Sequence, residues 1–515
     1  MENITIDGSH LTIEDIVAVA RQGAQVELAP AARDAINRAR GWVEEIVAKG
    51  DPVYGINTGF GIFAEYRIPS KDSAKLSRNL ILSHAVGTGQ PLAEEVVRAA
   101  ILVRANTLAK GFSGVRLEVV ETLLALLNRH VTPVIPSQGS LGSSGDLGPL
   151  SHLALVFTTD AEDKEEESGF AEFEGEILSG KEAMKRAGIE RLILGAKEGL
   201  AVNNGATFSA AIGALAVYDA ETLLNGAEVS LAMTLEAVMG CMAAFDARLH
   251  AARGHAGQMR VAEDIRKLTE GSSLVDATGR IQDAYSLRCA PQVQGIGWDT
   301  LAFVRNTIET EVNAATDNPL LFDPGVAVSG GNFHGEPVGV VMDMLGIVMA
   351  EIASISERRT FRLTDGHLNA DLPPMLVDRL SAAGLNSGLM MPQYTAASLV
   401  LENQTLATPD SVHSLPTSAE QEDHNANAMT AARHMREIVA NTAHVLAIEI
   451  YTASRALHLR KRQNPHVTFG KGTTQAYQIV RSEVKYQTGD AWWAPEIDKV
   501  KALLMKKEFV NLVSD

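Results

Sequence analysis

Four long stretches rich in alanine, leucine and methionine limit what this chain of 515 residues can fold into. They run from Phe208 to Ala244, Thr300 to Ala315, Val338 to Arg358 and Thr430 to Arg455. In the last, Met435, Ile438, Val439, Thr442, Val445 and Leu446 recur at the spacing of one buried helical face. Val338 to Ile355 is apolar nearly all round, the pattern of a helix buried inside a bundle or between subunits. Aromatic residues make up only 5% of the chain, which suits packed helices better than sheets. The expected fold is therefore mainly α, with an N-terminal domain over residues 1–203 and a long central helical bundle over 204–515.

Composition removes several functions. The net charge of -18 argues against a nucleic-acid backbone or an anionic membrane as main partner. Only Cys241 and Cys289 are present, without a CxxC pair, so neither a disulfide framework nor a structural zinc site is expected. A reducing cytoplasm is the natural compartment. Met1-Glu2-Asn3-Ile4 lacks the basic and apolar regions of a secretory signal. The apolar window from Val338 to Ile355 is interrupted by Asp343 and Glu351, so no membrane span is expected. No HExxH occurs, and His413, His424 and His434 lack metal-type spacing, so no metal site is expected.

In the first 200 residues the pattern is more broken. Thr12-Ile13-Glu14-Asp15 before an apolar run reads as a capped helix start. Val53 to Gly61 reads as a loop, and Ser77 to Leu108 as helix interrupted near Gly87 to Pro91. The acidic run from Asp160 to Glu167 reads as a solvated loop.

The stretch Gly139-Ser140-Leu141-Gly142-Ser143-Ser144-Gly145-Asp146-Leu147-Gly148-Pro149-Leu150 carries the most chemistry. A phosphate loop would need GxxxxGK[ST], and neither Gly145 nor Gly148 is followed by lysine. A dinucleotide turn needs GxGxxG, whereas these glycines recur every third residue. A nucleophile elbow needs GxSxG, and Gly142-Ser143-Ser144-Gly145 is one residue short. A plain structural turn capped by Asp146 or Ser144 stays open. So does a further possibility in backbone chemistry. In a tight bend the Gly145 nitrogen can approach the Ser143 carbonyl carbon, because glycine has no side chain to block it. Ring closure with loss of water, followed by loss of the Ser144 hydroxyl, gives a conjugated exocyclic alkene. That is an electrophile no ordinary side chain supplies.

Ser143-Ser144-Gly145-Asp146-Leu147, with Pro149, Leu150 and His152, resembles the prosthetic-group loop of the aromatic amino-acid ammonia-lyase and aminomutase family. Members build 4-methylideneimidazol-5-one from an Ala-Ser-Gly triad. Here Ser143 replaces the alanine, and since that residue lends only its main chain to the ring, cyclisation is expected to survive. Further matches are spread from Tyr54 to Pro495. Val53-Tyr54-Gly55-Ile56-Asn57-Thr58-Gly59 resembles the family's Tyr loop, which implies that Tyr54 is the base for the substrate β-proton. A free phenol has a pKa near 10, so activity is expected to rise above neutral pH. Tyr285-Ser286-Leu287-Arg288 is a third match; the resemblance groups Tyr285 with the catalytic residues and makes Arg288 the clamp for the substrate carboxylate. Gln282 and Asn204 match substrate-binding positions, and Asn203 is the poorer choice beside Asn204. Phe333, in Gly330-Gly331-Asn332-Phe333-His334-Gly335, matches an aromatic packed near the prosthetic ring. Thr316-Asp317-Asn318-Pro319 also matches and reads as structural.

Substrate choice rests on two places. Ser83-His84 resembles the histidine-selective members, and Glu422 stands where phenylalanine and tyrosine enzymes place an uncharged pair. A carboxylate pairs with imidazole and is a poor neighbour for phenyl. Asn425-Ala426-Asn427-Ala428 departs from the usual continuation of histidine enzymes. The resemblance thus implies loss of ammonia from L-histidine to give trans-urocanate, with Ser143, Ser144 and Gly145 as the protein-derived cofactor and no external one. It implies a cytoplasmic homotetramer with shared active sites, acting on a small amino acid. The alternatives are a lyase or 2,3-aminomutase acting on tyrosine, phenylalanine or another imidazole or aryl amino acid, a non-catalytic helical scaffold with an uncyclised loop, and phosphate binding by the loop.

Overall fold

The computed structural model describes residues 3–513; Met1 and Glu2, the start of the stretch read as lacking a secretory signal, lie outside the described residues. The protein is mainly α, as expected, and the strands are two to four residues long. It forms two compact units that interleave along the chain. The first combines Met1–Tyr218 with Arg305–Asp343 and Pro409–Arg433; the second combines Asp219–Val304, Met344–Thr408 and His434–Asp515. The division is therefore not a cut at residue 203, because two later segments fold with the N-terminal region.

In the first unit, the helix Ile13–Gln22 starts on Thr12, whose hydroxyl accepts from the Asp15 amide while Asp15 reaches back to the Thr12 amide. Glu94–Ala109 is the central helix, buried at every position from Val96 onward. Its buried polar groups are satisfied by carbonyls: Arg98 Nη2 donates to Val19 O at 3.0 Å and Asn106 Nδ2 to Val312 O at 2.9 Å. The Gly87 to Pro91 break is real and lies between the helices Ser73–His84 and Glu94–Ala109. The acidic run is less solvated than expected. Asp163 holds Arg191 at 2.5 Å and Lys181 at 2.9 Å, and Arg78 donates to Glu167 O at 2.7 Å.

In the second unit long helices dominate. The face Met435, Ile438, Val439, Thr442, Val445 and Leu446 of the helix Ala428–Gln463 is buried throughout, as its spacing requires. A buried ion pair ties three helices together. Arg359 Nη2 donates to Glu449 Oε2 at 2.7 Å, and the hydroxyls of Ser230, Thr234 and Ser356 donate to the same carboxylate at 2.9, 2.8 and 2.6 Å. The helix expected over Phe208 to Ala244 is Thr207–Ala237; a left-handed Met239 (φ 53°) follows its end. The helix Glu336–Thr364 is apolar around its circumference yet not buried all round, since Val340, Met344 and Ile347 are 39 to 44% exposed. It and Glu198–Ala237 are long and apolar enough to cross a membrane; the apolar window of the latter is entirely buried, as in a core helix.

Candidate active site

The Tyr loop is fixed from below. Ile56 is buried with Ala39, Val43, Ala196 and Leu321, and Asn57 accepts from the Val53 amide at 2.7 Å while donating to Asp51 O at 2.8 Å. Gly55 takes φ +71°, and a Cβ there would lie 2.7 Å from Leu200 Cδ2, so the close turn admits only glycine. Tyr54 is left half-buried at the rim of a cavity. Burial raises its pKa above the ordinary value, and the charges of Glu422 and Asp317 add to this; a hydrogen bond from the Gly61 backbone opposes them.

The Gly-rich stretch bends tightly before the helix Leu147–Phe157, with Gly142 at φ +120° and Gly145 at φ +68°. Ser144 is buried. Three hydrogen bonds hold the residues ahead of it. The Gly335 amide donates to Ser143 O at 2.8 Å, the Ser143 hydroxyl to His424 O at 2.7 Å, and the Ala426 amide to Gly142 O at 3.3 Å. Asp146 does not cap its own helix, contrary to the plain-turn reading. Its Oδ2 instead accepts from the amide and hydroxyl of Ser209, both at 3.2 Å, in the first turn of Thr207–Ala237. Burial pushes the Asp146 carboxyl up to about 7, against the amides of Ser209 and Phe208 and the charge of Arg104. Glu311 is also pushed up to about 7, by burial first and then by Asp146. Arg104 is fully buried, donates to Thr207 Oγ1 at 3.4 Å and to Ala201 O, and is lowered to about 10 by burial.

A cavity of about 1280 Å³ opens over this loop, and Tyr54, His84, Ser143, Ser144, Asn204, Phe333 and Glu422 all line it. His84 ends the helix Ser73–His84, and its Nδ1 lies 2.8 Å from Leu80 O. That contact is met by a proton on Nδ1. Beyond it, His152 Nε2 accepts from the Gly87 amide at 3.0 Å and fixes the chain after His84. Glu422 closes a small turn in which the Thr417 amide donates to Glu422 O at 2.8 Å. Within the turn Ser418, Ala419 and Glu420 all have positive φ, of 50°, 51° and 67°. Three successive non-glycine residues in that region mark a strained loop, of the kind held at functional sites. Asn425 and Asn427 brace it. The Asn425 amide donates to Ser414 Oγ at 2.8 Å, its side chain donates to Leu415 O, and the Asn427 side chain donates to Asp410 O at 3.2 Å.

Residues 11–482 match the aromatic amino acid lyase family. The chain belongs to the aromatic amino acid lyase family. This lyase is 50% identical to a histidine ammonia-lyase of Caldanaerobacter subterraneus subsp. tengcongensis, over 94% of its own length and 93% of the relative's. Among solved structures it superposes on the histidine ammonia-lyase of Trypanosoma cruzi with a TM-score of 0.90 at 38% identity, covering 99% and 95% of the two chains. On the tyrosine aminomutase of Streptomyces globisporus the TM-score is 0.91 at 33% identity, covering 99% and 98%.

The expected site residues of the lyase fall into two groups. Tyr54, His84, Ser143, Ser144, Asn204, Phe333 and Glu422 share the one cavity, with Gly145 in the turn beneath it. Gln282, Tyr285 and Arg288 belong to the second compact unit and are not among the cavity's lining residues. There the Arg288 guanidinium lies 4.6 Å from the centre of the Tyr285 ring, its Nε donates to Asp283 O at 2.9 Å, and Tyr285 is 70% exposed. Asn203 donates to Ser151 Oγ at 3.1 Å inside the core, whereas Asn204 faces the cavity. Asn318 also lines the cavity, although its motif reads as structural; its side chain donates to Ser329 Oγ at 3.1 Å and accepts from the Gly330 amide at 2.8 Å. Its neighbour Asp317 pairs with the buried Lys197. Nothing in the spacing of 316–320 signals either role.

Proposed function

We propose that this lyase removes ammonia from L-histidine and releases trans-urocanate, as a carbon–nitrogen lyase whose electrophile is made from Ser143, Ser144 and Gly145. The observation that carries the reading is the meeting of a phenol, an imidazole and a carboxylate, Tyr54, His84 and Glu422, around Ser144 in one cavity. The encoded triad suits ring closure: Gly145 is left-handed and bare, and Ser144 is shielded from solvent. 4-Methylideneimidazol-5-one, once formed, supplies an electrophilic carbon that makes the substrate amine a better leaving group. No external cofactor and no metal enter the reading.

Tyr54 takes the β-proton in this scheme, and in its raised state it does so only at alkaline pH or beside a cation that favours phenolate. His84, through Nε2, and Glu422 hold the imidazole, where a carboxylate is matched by an N–H donor. Phe333, which lines the same cavity, is assigned to the apolar side of the reacting loop. Asn204 and Gln282 bind the polar end of the substrate, Arg288 clamps its carboxylate in bidentate fashion, and Tyr285 stands with Arg288. In line with the family resemblance, we read the enzyme as a cytoplasmic homotetramer in which copies share sites. The exposed apolar residues Val340, Met344 and Ile347 support burial of that helix between copies.

Incubation with L-histidine, L-tyrosine and L-phenylalanine tests the reading. Urocanate absorbance with histidine alone is expected. Release of cinnamate or coumarate in preference would overturn the substrate assignment, and a β-amino acid product would make the enzyme an aminomutase.

A further inference from the structure

We infer that the backbone amide of Gly335 is the oxyanion donor that activates the Ser143 carbonyl for ring closure, a role distinct from any in turnover. The inference rests on the proposed function, because it concerns how the electrophile is made. An amide carbonyl is a weak electrophile and an amide nitrogen a weak nucleophile, so closure of three ordinary residues needs help at the oxygen that must leave. The Gly335 N–H meets that oxygen at 2.8 Å.

Its position suits the task. Gly335 immediately precedes the helix Glu336–Thr364, and its carbonyl accepts from the amides of Val338 and Gly339 at 3.0 and 2.9 Å. It is thus the cap residue, whose N–H is not used inside the helix and points from the positive end of the helix dipole. Gly335 is buried, so water does not compete for the bond. A Cβ there would lie 3.1 Å from the Cβ atoms of Ala206 and Ala428, a fit that brings the amide close. Meanwhile the electrophilic side of the triad is pinned, by Ser143 Oγ to His424 O at 2.7 Å and Ala426 N to Gly142 O at 3.3 Å. Around Gly145, the attacking side, a Cβ would find nothing closer than Ser140 Oγ at 3.5 Å. The carbonyl is held and the nucleophile has room to move.

The step balances without a co-reactant. The Gly145 nitrogen bonds to the Ser143 carbonyl carbon, and the π electron pair moves onto Ser143 O, where the Gly335 N–H stabilises it. The Gly145 amide proton passes to that oxygen. The resulting hydroxyl departs with the Ser144 amide proton as one water, leaving a carbon–nitrogen double bond. The Ser144 Cα proton and hydroxyl depart as a second water, leaving the exocyclic carbon–carbon double bond. Once the first water has left, the Gly335 amide has lost its acceptor.

The test is a full-length chain made by cell-free translation with glycolic acid at position 335, which replaces the N–H by an ester oxygen. Intact mass is followed with time after folding, beside the unmodified chain. The unmodified chain is expected to lose two waters. The ester chain is expected to close on the order of a hundredfold more slowly, the usual cost of one oxyanion donor. Closure of the folded ester chain at the unmodified rate would overturn the assignment and leave the proposed function standing. An unmodified chain that keeps both waters removes both. If circular dichroism shows the ester chain unfolded, Gly335→Pro, which also lacks the N–H, takes its place with the same two outcomes.

Discussion

Two buried carboxylates in this protein are treated in opposite ways. Glu449, in the second unit, has both oxygens engaged, by Arg359 and by the hydroxyls of Ser230, Thr234 and Ser356. Asp146, in the first unit, receives the amide and hydroxyl of Ser209 on Oδ2 and is eased by the Phe208 amide, while Oδ1 is buried without a full hydrogen bond. A satisfied carboxylate pins three helices and has no capacity left. An incompletely satisfied one is costly to bury as an anion, and it sits directly after Ser143-Ser144-Gly145. The first is a structural node; the second belongs to the ground on which the loop reacts. Changes in one region should therefore alter chemistry and spare stability, and changes in the other should do the reverse.

The largest effect is expected from Ser144→Ala. The electrophile cannot form, and turnover should fall by on the order of a thousandfold or more, while the melting temperature stays near that of the parent. Next is Tyr54→Phe, with a loss of about a hundredfold or more in kcat if Tyr54 is the base; retention of parental kcat would remove that role. In the parent the raised phenol places the acid limb of the kcat profile in the alkaline range, so rates should climb as pH rises above neutral. Glu449→Ala strands a buried guanidinium and should cost about 3–5 kcal/mol in urea unfolding, with the two-water mass loss intact in the chains that fold. Unchanged stability would erase the contrast between the two centres. The last effect is a slope. Asp146 has a folded pKa of about 7, above the ordinary unfolded value of 3.8, so the folded state binds the extra proton between these values and stability falls as pH rises through that window. Asp146→Asn should flatten this part of the urea midpoint against pH; Glu311, also near 7, retains its own share of the slope.

Legibility in the sequence followed how narrowly chemistry restricts residue type. Ser144 and Gly145 stood out because ring closure accepts few substitutes, and the face from Met435 to Leu446 because helical burial imposes a period. Asn318 did not, because its place at the cavity is set by two contacts with Ser329 and Gly330 that spacing does not encode. Asn425 and Asn427 looked like a departure bearing on substrate; they brace the loop that carries Glu422. Val338 to Ile355 reads as buried inside a bundle or between subunits, and periodicity cannot tell a face covered by its own chain from one left exposed on it, as at Val340, Met344 and Ile347. Asp146 read as a local cap, whereas its partner lies 63 residues away at Ser209.

Intact mass of the purified chain, measured beside Ser144→Ala, tests the central claim most directly. The account predicts a parent lighter than its sequence by two waters and a Ser144→Ala chain that lacks this two-water loss. A parent that eliminates ammonia from histidine at its full encoded mass would contradict it.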